Sequence, residues 1–271
     1  MLNEPNFHPH AVKHQRVMAT ICIVVLSIAY LAGYVQLHKM ISLPQRSVAS
    51  TQLMQQLRPP IEPASLAFAP DVPTPVPQGG LAPLVFTIPT KQPVVFLTID
   101  DGVYREPEAA AKMRAARVPA SLFLVQRYVS AAPGYFSYVA QQTGSAIEDH
   151  TLDHKDLRDL NYKDQRNEIC TTADIYKQVY GKRPTLLRPP YGDYNEDTRR
   201  AAASCGLSAV VLWHALVQDG AMQYQVGNTL RPGDIVLMHF TPAFKKDLQA
   251  FLDASKAAGL TPQLLEDWLT Y

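Results

Sequence analysis

Cysteine is scarce in this 271-residue sequence. Only three occur, which excludes a disulfide-stapled miniature fold and a cysteine-rich zinc module. Net charge is scarce as well. The 25 Lys and Arg against 24 Asp and Glu leave +1, and the basic stripe that would neutralise nucleic-acid phosphates is missing, so no nucleic-acid partner is expected. No internal repeat is visible. What the chain does have is 47% apolar residues, enough for a buried core, and 22 prolines whose positions organise it. Cys22 falls in an apolar run, whereas Cys170 and Cys205 lie further on and either pair or stay free.

Val17 to Val35 reads VMATICIVVLSIAYLAGYV, about 19 residues, near the ~20 that cross a bilayer as a helix. It has no polar face at helical period, which argues against a buried core helix. A cleaved signal peptide would be shorter and end in small residues, but Gln36-Leu37-His38-Lys39 follows. An uncleaved anchor over 17–37, after a tail over 1–16, is therefore expected. Lys13 and Arg16 before it balance Lys39 and Arg46 after it, so the flanking charges do not set its orientation. Residues 38–92 hold prolines from Pro59 to Pro89 around Gly79-Gly80, which predicts an extended, semi-rigid linker.

From Pro93 to Tyr271 one globular domain is expected. Apolar strands over 94–99, 120–125, 185–188, 208–213 and 234–239, with a weak one over 144–147, alternate with helices over 109–117, 163–180, 195–204 and 245–258. Continuous apolar strands between helices predict an α/β fold, a parallel sheet or barrel covered by helices.

Chemistry-bearing residues cluster where these strands end. The first runs into Asp100-Asp101-Gly102; Asp-Gly is also an ordinary turn signal, but two carboxylates at the end of a buried strand are costly unless used. His150 and His154 stand four apart, a spacing that puts both rings on one face of a helical turn where they can grip a metal ion. Arg188-Pro189-Pro190-Tyr191-Gly192 is a rigid segment suited to holding an arginine and aiming a backbone N–H. His239 closes the last strand, either as a core histidine or as a proton donor. In parallel barrels such strand ends face one pocket. Asp101, His150 and His154 would then form a two-histidine, one-carboxylate set, with Asp100 free to take a proton from water and His239 to return one: the parts for metal-assisted hydrolysis.

In order and spacing these segments resemble the motifs of the polysaccharide deacetylases with a NodB homology domain, carbohydrate esterase family 4. TIDDG is similar to T-F-D-D-G, HTLDH to H-[ST]-x-x-H, RPPYG to R-x-P-Y-G and LMH to L-x-H. The resemblance spans Pro93 to the C-terminus and implies a distorted (β/α) barrel of the NodB type over 93–271. It implies Asp100 as general base, and Asp101, His150 and His154 as ligands of one divalent metal. Arg188 would hold Asp100, the Tyr191 backbone N–H would meet the oxyanion, and His239 would protonate the leaving amine. Leu237 would line the acetyl pocket. Zinc is the default metal, with cobalt, nickel, manganese or iron fitting similar ligands.

One motif departs. Where the family has D-x-x-D-W, this chain has Leu216-Val217-Gln218-Asp219-Gly220. Asp219 keeps the carboxylate expected to buttress His239, while Leu216 and Gly220 replace the first Asp and the Trp, so the acetyl pocket is wider or filled by Trp213 or His214. The function expected is a membrane-anchored, metal-dependent N-deacetylase. It would act outside the cytoplasm, single-pass in the cell membrane, on an acetylated cell-wall or surface polysaccharide. An O-acetyl-polysaccharide esterase and a degenerate glycan-binding module are the alternatives.

Overall fold

The computed structural model describes residues 68–269. The apolar run over 17–37 lies outside them; among the described residues no helix is long and apolar enough to cross a membrane.

The elements follow in the order β1 (Leu84–Val85), β2 (Val94–Asp101), α1 (Ala109–Ala116), β3 (Ala120–Leu124), α2 (Gln126–Val129), α3 (Pro133–Thr143) and β4 (Ala146–Asp149). Then come α4 (Tyr162–Tyr180), β5 (Leu186–Leu187), α5 (Glu196–Ser204), β6 (Ala209–Val211), β7 (Ala215–Gln218) and β8 (Ala221–Tyr224). The last are β9 (Ile235–His239), α6 (Phe244–Ala257), β10 (Thr261–Gln263) and α7 (Glu266–Leu269). One sheet runs β1-β6-β5-β4-β3-β2-β9-β7-β8, with β10 paired to the first residues of β2. Every pairing is parallel except the β7–β8 hairpin. The strand path ends at β1 and β8 without closing, so the barrel expected from the sequence is an open half-barrel.

Alternation along β2 shows how the strands are used. Val95, Leu97 and Ile99 face an outer core built with α1, α3 and α6, whereas Val94 and Phe96 face an inner core with Phe123, Val211 and Trp268. Thr98 and Asp100 share the inner face by period two. A third cluster packs α4 and α5 against β5 and β6. There Cys170 and Cys205 form a disulfide across 35 residues of sequence.

Three expectations need correction. The fold begins before Pro93: β1 pairs with β6, and Ala82, Val85 and Ile88 are buried, so part of the expected linker is sheet. The weak strand lies at 146–149 rather than 144–147, because Gly144 (φ 69°) caps α3 in the left-handed region that glycine takes without strain. Helix α3 itself was not expected, although Pro133 in its first turn and Gly144 after its end mark it.

Beneath the strand ends lies a buried pair of acids. Glu148 of β4 accepts the N–H groups of Thr185 and Leu186, both at 2.7 Å. Glu266 accepts the Ser121 hydroxyl at 2.8 Å, and its other oxygen is buried without a partner. Burial pushes both carboxyls up, and the charge of Glu266 pushes Glu148 further; Glu266 rises from 4.5 to about 7. A folded-state pKa above the unfolded one means the native state keeps a proton that the unfolded chain releases. That stability is complete below pH 4.5 and is lost as pH rises through about 7. On the order of 3 kcal/mol is at stake. Glu266→Gln, which cannot ionise, should therefore gain on the wild type by roughly 5–10 °C in melting temperature between pH 5 and pH 8. Parallel melting curves would reject this reading of the pair.

Candidate active site

Asp100 and Asp101 end β2, and the chain turns at Asp101 (φ 75°) and Gly102 (φ 83°). A Cβ at Gly102 would lie 2.7 Å from Val129, so only glycine fits this turn. The turn aims the two carboxylates differently. Asp100 points inward, where Arg188 Nη1 donates to its Oδ1 at 2.9 Å. Asp101 Oδ1 lies 3.6 Å from His150 Nε2 and 3.3 Å from His154 Nε2.

The histidine pair is not helical, contrary to the geometry expected from its spacing. His150 follows β4, and left-handed residues at Thr151 (φ 70°) and His154 (φ 59°) fold the segment back. Side chains fix that loop: Asp149 Oδ1 accepts Thr151 N–H, Thr151 Oγ1 accepts His154 N–H, and Glu168 Oε2 accepts Leu152 and Asp153 N–H. The rings meet edge to face, with centroids 5.0 Å apart. His150 Nδ1 donates to the Arg188 carbonyl at 2.6 Å, which leaves the Nε2 lone pair directed at Asp101.

Ligand atoms of Asp101, His150 and His154 all lie within 4.8 Å of one another. Asp101 Oδ1 is buried and accepts no hydrogen bond, the condition of an oxygen that awaits a cation. Burial pushes the Asp101 carboxyl up, but the close His154 ring and the other neighbouring imidazoles outweigh it and hold it low. Burial pulls His150 down, toward the neutral ring. One carboxylate and two imidazoles, with the histidine tautomer fixed from outside, suit a divalent transition metal.

Arg188 is fully buried and fully engaged. It donates to Asp100, to Thr98 Oγ1 at 3.0 Å and to the carbonyls of Val211 and Leu212, and its guanidinium lies over the rings of Phe123 and Trp213. Burial pulls it down from its ordinary value, and the Asp100 charge opposes that. After Pro190 the chain enters a short turn whose bonds are made by Gly192 and Asp193 N–H, while Tyr191 sits at φ 63°. The Tyr191 ring is exposed and packs edge-on against His154, centroids 4.8 Å apart. Gly192 lies so close to Trp213 that a Cβ would sit 2.7 Å from its ring.

Opposite β2, His239 ends β9 directly across from Asp100 in the register, with Leu237 across from Thr98. A cleft of about 540 Å³ lies beside it, lined by Asp101, Asp219, His239, Pro242 and Asp247 among others. The structure thus gathers Asp100, Asp101, His150, His154, Arg188, Tyr191, Trp213, Leu237 and His239 at one end of the sheet. Asp219 is different: it is exposed at the tip of the β7–β8 hairpin, at the rim of that cleft. Leu216 faces away from the outer core that holds Ala215 and Val217, and its register partner is Leu237. Asp247 is a residue of this end that the sequence did not single out for the site.

A parallel half-barrel with carboxylates and imidazoles converging at its C-terminal strand ends defines a class, α/β folds with a candidate metal site at the strand ends. The polysaccharide deacetylase family model matches residues 87–210. An uncharacterized protein of Streptomyces coelicolor is 40% identical over 195 residues, 70% of this chain and 78% of that one. The peptidoglycan-N-acetylglucosamine deacetylase of Bacillus cereus is 30% identical over 177 residues, 62% of this chain and 63% of its own. A solved peptidoglycan N-acetylglucosamine deacetylase superposes with a TM-score of 0.60 at 25% identity, covering 68% of this chain and 92% of its own. This chain belongs to the polysaccharide deacetylase family and is a hydrolase of that family.

Proposed function

We propose that the protein is a membrane-anchored, zinc-dependent N-deacetylase that acts outside the cytoplasm on N-acetylglucosamine of peptidoglycan or a related wall glycan. The observation that carries the chemistry is the convergence of Asp101, His150 and His154 beside the Asp100–Arg188 pair. A divalent ion held by those three residues would supply Lewis acidity, polarising the acetyl carbonyl and making water reactive near neutral pH. Asp100, oriented by Arg188, takes the proton of the attacking water. The Tyr191 backbone N–H donates to the oxygen that becomes negative. His239 gives a proton to the departing nitrogen, so water and the N-acetyl sugar become acetate and the free amine. Leu237, Leu216 and Trp213 form the apolar wall for the methyl group.

Two features support the location. The apolar run over 17–37 suits an anchor, and residues beyond it supply reach to an insoluble polymer. The Cys170–Cys205 disulfide suits an oxidising compartment. The substrate class rests on the relatives named above.

The reading is tested by acetate release from the full-length protein on N-acetylglucosamine oligomers and peptidoglycan, beside an O-acetylated polysaccharide. Release from the N-acetyl substrates is expected. Release from the ester alone would replace this reading with an O-acetyl esterase, and glycan binding without release from any substrate would leave a binding module.

A further inference from the structure

Asp219 and Gly220 are the two central residues of the β7–β8 hairpin, at φ 53° and 82°. Two successive left-handed residues of the Asp-Gly type are the chemistry of a tight I′ turn, which matches the twist of the flanking strands. The dipeptide is thus accounted for by turn formation, and its carboxylate sits at the exposed rim. The buried carboxylate of this cleft comes from another element.

Helix α6 starts five residues after His239. Besides Ser255, its buried positions are Phe244, Asp247, Leu248 and Phe251, and these four form the i, i+3, i+4, i+7 stripe of an amphipathic helix. Three of them enter the outer core. Asp247 occupies the remaining position, where an apolar residue is the rule, yet it is 2% exposed. A carboxylate there is costly unless partnered. Its Oδ1 accepts the Gly220 N–H at 2.7 Å, which pins the hairpin tip to the helix. The side chain lines the same cleft as His239.

We propose that Asp247 of α6, rather than Asp219, is the carboxylate partner of His239: without touching the ring, its buried charge across the shared cleft stabilises the protonated form. The proposal rests on the reading of His239 as the proton donor. Burial pushes the Asp247 carboxyl up and the neighbouring Asp219 adds to this, while the Gly220 N–H, His239 and Lys246 draw it down. The charged groups around His239 are Asp100 and Asp101 from β2, Asp219 from the hairpin and Asp247 from α6, with Lys246 next to Asp247. Asp247 is the buried one among those that α6 and the hairpin supply.

The test is the titration of the His239 ring by NMR in the zinc-loaded full chain with ring-labelled histidines, assigned with His239→Ala. It is read alongside the pH profile of kcat/KM for acetate release. Asp247→Asn keeps an oxygen for the Gly220 N–H, so the hairpin stays pinned and only the charge is lost. It should lower the His239 midpoint by roughly one unit and move the basic limb of the profile with it. Asp247→Glu should return the midpoint toward the wild-type value. An unmoved midpoint in Asp247→Asn overturns the proposal, as does an equal displacement in Asp247→Glu, which would mark a packing effect. The NMR arm needs no substrate. A wild type that releases no acetate would therefore sink the deacetylase reading while this assignment is still decided.

Discussion

Stripping divalent ions from the full-length protein with a chelator should abolish acetate release, and restoring zinc should recover it. Lewis-acid assistance is worth several kcal/mol of barrier, so the loss expected is about 10³-fold or more. The local geometry says why the protein cannot substitute for the ion. Asp101 Oδ1 is buried and receives no hydrogen bond, so no donor stands ready to polarise a carbonyl from that side. His150 cannot serve as one, because its Nδ1–H is committed to the Arg188 carbonyl. Asp101→Ala and His154→Ala each leave two ligands. Both should lose bound zinc, measured as metal per chain, by more than the ~10- to 100-fold that even a ligand's outer partner costs. The wild type should also melt higher with zinc than without, since an ion that binds only the native state stabilises it. Full turnover in excess chelator would end the metal-assisted reading.

Much of this site was legible from residue order, and the reason is physical. VVFLTIDD and IVLMH are continuous apolar runs that can only be buried strands, so the polar residues at their ends had to gather at one end of the sheet. What stayed hidden was geometry that side chains impose on loops. The spacing of His150 and His154 suggested a helical turn, but Thr151, Asp149 and Glu168 hold a left-handed loop that brings the rings together another way. Likewise LVQDG could be matched to a catalytic motif letter by letter. Only the β7–β8 pairing reveals the last two residues as a hairpin turn. Asp247 did leave a trace, a carboxylate in the apolar stripe of α6, yet a stripe says that a residue is buried and not what it is buried against. The two-residue β1 was masked by prolines, which set backbone angles compatible with an edge strand as well as with a linker.

The Asp100–Arg188 pair carries the other large effect, and there activity and stability separate. Asp100→Asn should lower kcat by about 10²- to 10⁴-fold, the range for loss of a positioned general base, with zinc content unchanged because Asp100 lies outside the ligand set. Asparagine still accepts from Arg188 Nη1, so the fold should persist. Arg188→Met is the opposite case. It leaves the 2%-exposed Asp100 carboxylate without its cation, and it strips donors from Thr98, Val211 and Leu212. Removing one partner of a buried ion pair costs about 3–5 kcal/mol, most of it the charge left behind. The double variant Asp100→Asn/Arg188→Met should therefore be more stable to urea than Arg188→Met alone, because the orphaned charge is gone. Such a positive coupling is expected only if the Arg188–Asp100 contact is an ion pair, and a base must be a carboxylate before it takes a proton. A double variant no more stable than Arg188→Met, together with an Asp100→Asn rate within tenfold of wild type, would remove Asp100 from the role of base.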